Sequence, residues 1–381
     1  MAKLAIALPG LGVISETFIQ RHINDLLPGN TCIVAETRKK PFCGNWESQH
    51  PQLIIDELNL SKSENVFSRF YSKGRRLLGW DDGSAKTRAI KRFLSQQKAE
   101  VFLAEYLDFS LFYLPICKAL GIRFFTHAHG YDVSSRLNNP DWVKRYQLLN
   151  QADGIITMSA FSKKKLLDIG ITSPIHVIPY GIKPLQATQS GRSEESDLVQ
   201  FLFTGRFVAK KAPLLTLRAF ALTLQMKPNV RLTMIGGGEL LEQAKAGAKS
   251  LGLEKFVEFL GPQPNEMVLA AMRQAQVYVQ HSIVCPETGD MEGLPVAILE
   301  AMGAGLAVVS TRHAGIPEAI VEGKGGFLVE ENDVDAMAEK MAMLASDANL
   351  VAEMGNFNSK RVSEYFHWEI EKAGLLTVLE I

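Results

Sequence analysis

Short apolar runs alternate with amphipathic stretches along nearly the whole chain. Six runs in the first half read as strands: Lys3–Leu8, Thr31–Ala35, Val101–Ala104, Arg123–Thr126, Gly154–Met158 and Ile175–Ile178. Six more follow: Gln200–Thr204, Arg231–Ile235, Val257–Leu260, Val277–Gln280, Leu306–Ser310 and Phe327–Val329. Runs apolar on both faces belong in parallel sheets covered by helices on each side. Helical stripes lie between them. Phe18, Ile19, Ile23, Leu26 and Leu27 share one face, opened by Ser15 and stopped by Pro28-Gly29. Others span Leu214–Gln225, Leu240–Leu251, Pro295–Met302 and Val334–Leu344. The rhythm breaks over Pro184–Asp197, a polar stretch without period that reads as a linker, and then restarts. The pattern predicts an α/β protein of two doubly wound, Rossmann-like domains facing across a cleft, residues 1–183 and 199–363, joined by a linker at 184–198. In such sheets ligands sit outside the carboxyl ends of the strands.

Composition narrows the partners. A chain of 381 residues with 46% hydrophobic side chains can bury two cores. Basic and acidic residues balance at 41 each, which gives a nucleic-acid partner no global support. Cys32, Cys43, Cys117 and Cys285 form no C-x-x-C pair and read as reduced thiols of a cytosolic protein. The opening Lys3-Leu4-Ala5-Ile6-Ala7-Leu8 imitates a secretion signal, but Pro9, Gly10 and Gly12 break it early and favour a first buried strand. No uncharged apolar stretch reaches the roughly 18 residues of a membrane span. Residues 61–98 are rich in cations, among them Arg69, Lys73, Arg75 and Arg76, interleaved with Phe67, Phe70, Tyr71 and Trp80. Such a segment suits an anionic membrane surface or an ordinary solvated helix pair.

Candidate chemistry follows the strands. Gly205-Arg206 leaves one strand and leads to Lys210-Lys211. Glycine permits a sharp turn, Arg206 offers a planar fork to phosphate oxygens, and Lys211 adds a compact charge. Glu292 and Glu300 flank Gly293-Leu294-Pro295-Val296-Ala297-Ile298-Leu299. Pro295 suits a first helical turn, so the free amides around Gly293 and Leu294 would bind hydroxyl or phosphate oxygens. Glu300 sits among Leu299, Ala301 and Met302, and a buried carboxylate needs a partner. Gly236-Gly237-Gly238 closes another strand. His127-Ala128-His129-Gly130-Tyr131-Asp132 closes a strand of the first half. An H-x-H pair suits a metal, yet no third ligand stands at metal spacing in the sequence, and a hydrogen-bonded loop histidine competes. Gly10-Leu11-Gly12 resembles a dinucleotide turn, with Glu36 ending the next strand, but Ser15 replaces the third glycine. Glu16 would open the following helix at its positive end. Asp333-Val334-Asp335 fits a helix N-cap better than a metal motif.

Taken together, these residues resemble the retaining GT-B glycosyltransferases of glycosyltransferase family four. The Glu292–Glu300 element is the most specific part. Gly205-Arg206 with Lys211, His129-Gly130-Tyr131-Asp132, Pro179-Tyr180-Gly181-Ile182, Phe259-Leu260-Gly261-Pro262, Gly315-Ile316-Pro317-Glu318 and Gly325-Gly326-Phe327-Leu328-Val329 fit in the expected order. Ser15-Glu16-Thr17-Phe18-Ile19 is similar to members that build exopolysaccharide or lipopolysaccharide. The resemblance implies roles at the matching positions. Arg206 and Lys211 would bind the donor diphosphate and stabilise the leaving group. Glu300 would hold ribose hydroxyls. Glu292, with Gly293, Leu294 and Pro295, would hold donor-sugar hydroxyls. His129 would line the reacting face of the sugar. Gly12, Gly205, Gly237 and Gly261 would line the donor, and Glu16 and Asp132 the acceptor side. No metal or other cofactor is expected. The last helix, about 364–381, would return to the first domain. The implied activity is retaining transfer of a sugar from a nucleoside diphosphate sugar to a glycan, lipid-linked or small-molecule acceptor, at the cytoplasmic face of a membrane or in the cytoplasm. An epimerase of the same architecture, a non-catalytic nucleotide-sugar binder and, more distantly, a nicotinamide-dependent oxidoreductase are the alternatives. The loop 285–291 lengthens the approach to Glu292, so donor identity is not read from it.

Overall fold

The computed structural model describes residues 3–13, 16–38, 49–58, 83–183 and 198–381. Ser15, Cys43, most of the basic segment (61–82) and all of the linker but Leu198 lie outside the described residues. The chain divides into two compact units. The first holds Met1–Ile178 with Lys372–Ile381, and the second holds Pro179–Glu371.

The first unit carries a sheet of seven strands: β1 (Lys3–Leu11), β2 (Thr31–Arg38), β3 (Gln52–Ile54), β4 (Ala99–Glu105), β5 (Arg123–Ala128), β6 (Gly154–Thr157) and β7 (Ile175–Val177). Their order is β3-β2-β1-β4-β5-β6-β7, and every pairing is parallel. The strands are buried on both faces because Leu, Ile, Val, Ala and Phe fill successive positions; residues 4–8 of β1 and 101–104 of β4 are 0% exposed. Helices Ala85–Gln97 and Leu114–Leu120 cover one face with Ile90, Leu94, Ile116 and Cys117. The second unit carries β8 (Val199–Thr204), β9 (Val230–Ile235), β10 (Val257–Gly261), β11 (Val277–Val279), β12 (Ala307–Thr311) and β13 (Gly326–Val329). This sheet is also parallel, in the order β10-β9-β8-β11-β12-β13. Helices Pro213–Met226 and Val334–Ser346 pack Leu217, Phe220, Met337 and Met341 into its core. Sequential order reverses between β1 and β4 in one sheet and between β8 and β11 in the other. These are the positions where open α/β sheets bind ligands.

The expected strands are all found, eight of them longer by one to three residues, three shorter by one and one shifted by one. One strand was not expected: β3, a three-residue edge strand after Pro51, too short to show a period. The stripe over residues 18–27 is helical, but it changes from an α-helix at Thr17–Arg21 to a π-turn at His22–Leu26. Pro295 is the N-cap, not the first helical residue, of helix Val296–Gly303. The last helix, expected at about 364–381 and returning to the first domain, follows a break and belongs to the first unit from Lys372 on. Ala348–Tyr365 ends at Phe366, and a new helix runs Trp368–Leu379. At the break the chain pairs with residue 182: the Ile182 N–H donates to the Phe366 carbonyl at 2.8 Å, and the Trp368 N–H donates to the Ile182 carbonyl at 3.0 Å. Gly181 is required beside it, since a Cβ there would meet the His367 carbonyl oxygen at 2.6 Å.

Candidate active site

In the second unit the predicted donor residues gather at the carboxyl ends of the strands. β8 ends at Thr204 and hands over to Gly205, with φ +148°, a conformation that a side chain rarely adopts. The next turn, after β9, lies directly against it. A Cβ on Gly236 would stand 1.9 Å from the Gly205 carbonyl oxygen, so the two glycine turns pack backbone on backbone. Phe207 N–H donates to the Gly237 carbonyl at 2.8 Å, and Gly236 N–H to the Gly261 carbonyl at 2.9 Å, knitting three strand ends together. Gly237 itself faces Pro262, whose Cγ would lie 2.8 Å from a Cβ.

Lys211 follows on a short 3-10 turn and is buried. Its ammonium lies 2.9 Å from Glu292 Oε1 and donates to Gln280 Oε1 at 3.3 Å. Gln280 comes from the end of β11, so this cluster sits at the switch between β8 and β11. The Glu292 contact is close but poorly angled, leaving Oε1 without an aligned hydrogen bond. Burial alone would raise the Glu292 carboxyl; Lys211 and then Lys210 outweigh it and hold it down at about 2. Lys211 is also shifted downward, because burial of the ammonium outweighs the pull of Glu292. Glu292 is therefore ionised at neutral pH, with the cost of burial falling on the lysine. Lys210 points elsewhere, to Asp290 at 3.0 Å and the Met291 carbonyl at 3.1 Å. Beside Glu292, Gly293 and Leu294 are buried, and among the described residues their N–H groups meet no acceptor. Buried amides left open in this way ask for an external partner. Glu300 is half-buried on the helix that follows and acts electrostatically on Tyr278, whose hydroxyl lies 3.0 Å from both the Thr204 carbonyl and Gln280 Oε1. Arg206 is exposed and makes no ion pair among the described residues.

In the first unit Gly12, with φ +95°, ends the turn after β1. Glu16 accepts the Tyr106 hydroxyl hydrogen bond at 2.7 Å. Glu36 is engaged by Lys86 and Tyr113. His129 is buried between Phe18 and Tyr106, with ring centroids at 5.1 and 4.4 Å. Its Nε2 lies 2.9 Å from Glu105 Oε2. Asp132, expected on the acceptor side, is 0% exposed, and its Oδ2 accepts the His129 backbone N–H at 2.9 Å. It clamps the loop that carries His129.

Glu105, which the sequence did not single out, is the hub. It is fully buried at the end of β4, opposite His127 in register. His22 Nδ1 lies 2.7 Å from Oε1, and His127 Nδ1 lies 3.3 Å from Oε2. Further ligands for His127 thus come from distant elements, Glu105 from β4 and His22 from the π-turn. His22, Glu105 and His127 keep one donor atom each within 4.8 Å of one another and could hold a cation. A carboxylate accepting imidazole N–H groups satisfies the same cluster without one. Burial raises the Glu105 carboxyl, but His22, His127 and His129 together hold it well below its ordinary range. Burial lowers His129 to about 4 against the pull of Glu105.

These shifts set an acid limit. His129 falls from 6.5 to about 4, and burial does the same to His281. Between those values the unfolded chain binds protons that the folded chain refuses, so stability drops as pH falls, by about 3 kcal/mol per histidine. Asp132 opposes them: burial, then Asp108, raises it to about 7, so its contribution grows as pH falls toward 3.8. Two histidines against one aspartate leave a net loss. Below about 4.5 the depressed Glu105 and Glu292 add to it. The melting temperature is expected to decline from about pH 6.5 and to drop steeply below about pH 4.5; a flat profile down to pH 4 contradicts this assignment.

Comparison with known proteins agrees with this geometry. Residues 56–184 match the family described as Glycosyltransferase Family 4, and residues 186–361 match Glycosyl transferases group 1. The chain belongs to the family-four glycosyltransferases. Over 265 residues it is 30% identical to the amylovoran biosynthesis glycosyltransferase AmsK of Erwinia amylovora, covering 69% of this chain and 65% of that one. It is 27% identical over 289 residues to the putative colanic acid biosynthesis glycosyltransferase WcaL of Escherichia coli, covering 74% of this chain and 71% of that one. The crystal structure of Anabaena HepE in complex with UDP and glucose superposes with a TM-score of 0.78 at 15% identity, covering 100% of both chains. That likeness establishes the GT-B fold.

Proposed function

We propose that this protein is a retaining glycosyltransferase that moves a hexose-type sugar from a nucleoside diphosphate sugar to a glycan or lipid-linked acceptor without a metal ion. The observation that carries the reading is the buried Lys211–Glu292 pair at the β8–β11 switch point, beside the open amides of Gly293 and Leu294. A diphosphate needs positive charge, and Lys211, buried, with the exposed Arg206 supplies it. A sugar needs fixed acceptors and donors for its hydroxyls, and Glu292 with the two amides supplies both. Glu300 is assigned to the ribose, and Gly205, Gly237 and Gly261 let the donor approach the backbone. His129, neutral at pH 7, would line the reacting face of the sugar, with Glu16 on the acceptor side.

Departure of the nucleoside diphosphate leaves two negative charges to be met by Arg206 and Lys211, the work a divalent cation does in other transferases. The leaving phosphate oxygen would take the proton of the attacking acceptor hydroxyl as the new glycosidic bond forms on the face from which it left. The relatives AmsK and WcaL are named for exopolysaccharide synthesis, which favours a glycan or lipid-linked acceptor. Among the described residues no helix is long and apolar enough to cross a membrane; we place the protein in the cytoplasm, with residues 61–98 as the segment for an anionic membrane surface.

The test is a thermal-shift screen of UDP, GDP and ADP and their sugars, followed by a transfer assay on the stabilising donor. One donor family is expected to raise the melting temperature by several degrees, and chelator-treated enzyme to keep full activity. Binding without transfer or slow hydrolysis would favour a non-catalytic binder, an isomerised nucleotide sugar would favour an epimerase, and no binding at all would remove the proposal.

A further inference from the structure

Glu292 is held from behind. Its backbone N–H donates to Nε2 of His313 at 3.0 Å. A backbone amide offers only a hydrogen, so that nitrogen must be bare and the ring proton must sit on Nδ1. Nδ1 lies 2.6 Å from Glu331 Oε1, a carboxylate oxygen that offers only lone pairs. The second oxygen of Glu331 accepts the Val284 N–H at 2.9 Å. The tautomer is thus fixed from both sides, and the ring is 0% exposed. The next residue is tied as well, since Gly315 N–H donates to the Gly293 carbonyl at 3.0 Å. The segment that carries Glu292 is therefore bound at two consecutive positions to the loop after β12, and through Glu331 to the loop after β13.

We infer that His313, held in its Nδ1-protonated tautomer by Glu331, is a positioning residue that sets the Glu292 carboxylate against Lys211 and against the donor sugar. The inference rests on the donor-site reading above for its effect on transfer, while the tautomer and the tie stand on geometry alone. Neither residue touches donor in this scheme; both act through the backbone of Glu292. Without the His313 acceptor, a buried N–H loses its partner, and the loop relaxes to find another. A carboxylate displaced by about 1 Å costs on the order of 100-fold in rate.

Three measurements test it. In protein carrying ¹⁵N-labelled histidine, the His313 Nε2 resonance is expected at the unprotonated position and the Glu292 amide to be slow in hydrogen exchange. His313→Ala is expected to lower kcat/KM for the donor by about 100-fold and to release the Glu292 amide. His313→Gln, whose side-chain oxygen reaches as an acceptor, is expected to restore most of both. A protonated Nε2, or a His313→Ala protein with wild-type kcat/KM and a protected Glu292 amide, overturns the inference. If His313→Ala does not fold, Glu331→Leu, which removes the acceptor and keeps the ring, is expected to lower kcat/KM about tenfold, and an unchanged value overturns it. If the wild type turns over no nucleotide sugar, the donor reading fails, and resonance and exchange still decide the role of His313.

Discussion

Lys211→Ala is expected to lose activity and stability together. The ammonium is assigned to the donor diphosphate, and removing one such charge-stabilising group typically costs 10²–10³-fold in kcat, about 3–4 kcal/mol. The stability loss has a separate origin. Glu292 would remain buried with its ion partner gone, and breaking a buried pair from one side costs about 3–5 kcal/mol. Lys210 cannot substitute, because Asp290 and the Met291 carbonyl hold it. Arg206→Ala supplies the contrast. Arg206 is exposed and makes no ion pair among the described residues, so its loss should slow transfer with the melting temperature nearly unchanged. The double variant Lys211→Ala with Glu292→Ala completes the cycle. It removes both ions, so it should regain part of the stability that Lys211→Ala loses and none of the activity. Chemical denaturation and single-turnover transfer read the two quantities separately. A Lys211→Ala enzyme with wild-type turnover would remove Lys211 from the chemistry.

The sequence showed this half of the site well because its parts are local. Gly205, Lys211 and the Glu292–Glu300 run each follow a strand that announces itself by an unbroken apolar run, and a helix pattern follows at once. What the sequence did not show is assembled across the sheet. Glu105, His22 and His127 lie on three separate elements and share no spacing. They meet because β1, β4 and β5 are neighbours, which the chain order does not state. The usable signal was a carboxylate ending the apolar run Val101–Ala104, with an H-x-H pair ending another strand; parallel pairing brings such ends to one edge. His313 and Glu331 were missed for the same reason, as polar residues just past β12 and β13. Asp132 serves backbone amides inside the fold, a contact that no spacing in the sequence announces. The last helix was expected at about 364–381 and runs Trp368–Leu379; what the sequence does not show is that it starts where the chain pairs with residue 182, far away in the chain.

Glu105→Ala is the second large expected effect. The carboxylate stands within 2.7 to 3.3 Å of three imidazoles and is 0% exposed. Its removal takes an acceptor from His22 and His129 and a close contact from His127 at once, where each lost buried hydrogen bond costs about 1–3 kcal/mol. A destabilisation of about 3–5 kcal/mol is expected, enough to threaten a fold of ordinary stability. Activity should fall further than stability explains, because His129 loses the contact that orients its ring. Glu105→Gln separates the two effects. Its amide keeps the volume and one acceptor oxygen but turns the other oxygen into a donor, which must oppose either His22 or His129–His127. Stability should then be partly kept while kcat stays depressed. The same variants decide whether the cluster is a hydrogen-bonded hub or a cation site. If imidazole N–H groups satisfy Glu105, prolonged chelation leaves the melting temperature of the wild type where it was. If a cation bound by His22, Glu105 and His127 holds the cluster, chelation reproduces the Glu105→Ala loss and added metal reverses it. An unchanged melting temperature in Glu105→Ala itself would show that the three histidines find their partners elsewhere, and that β4 contributes nothing to holding His129 in place.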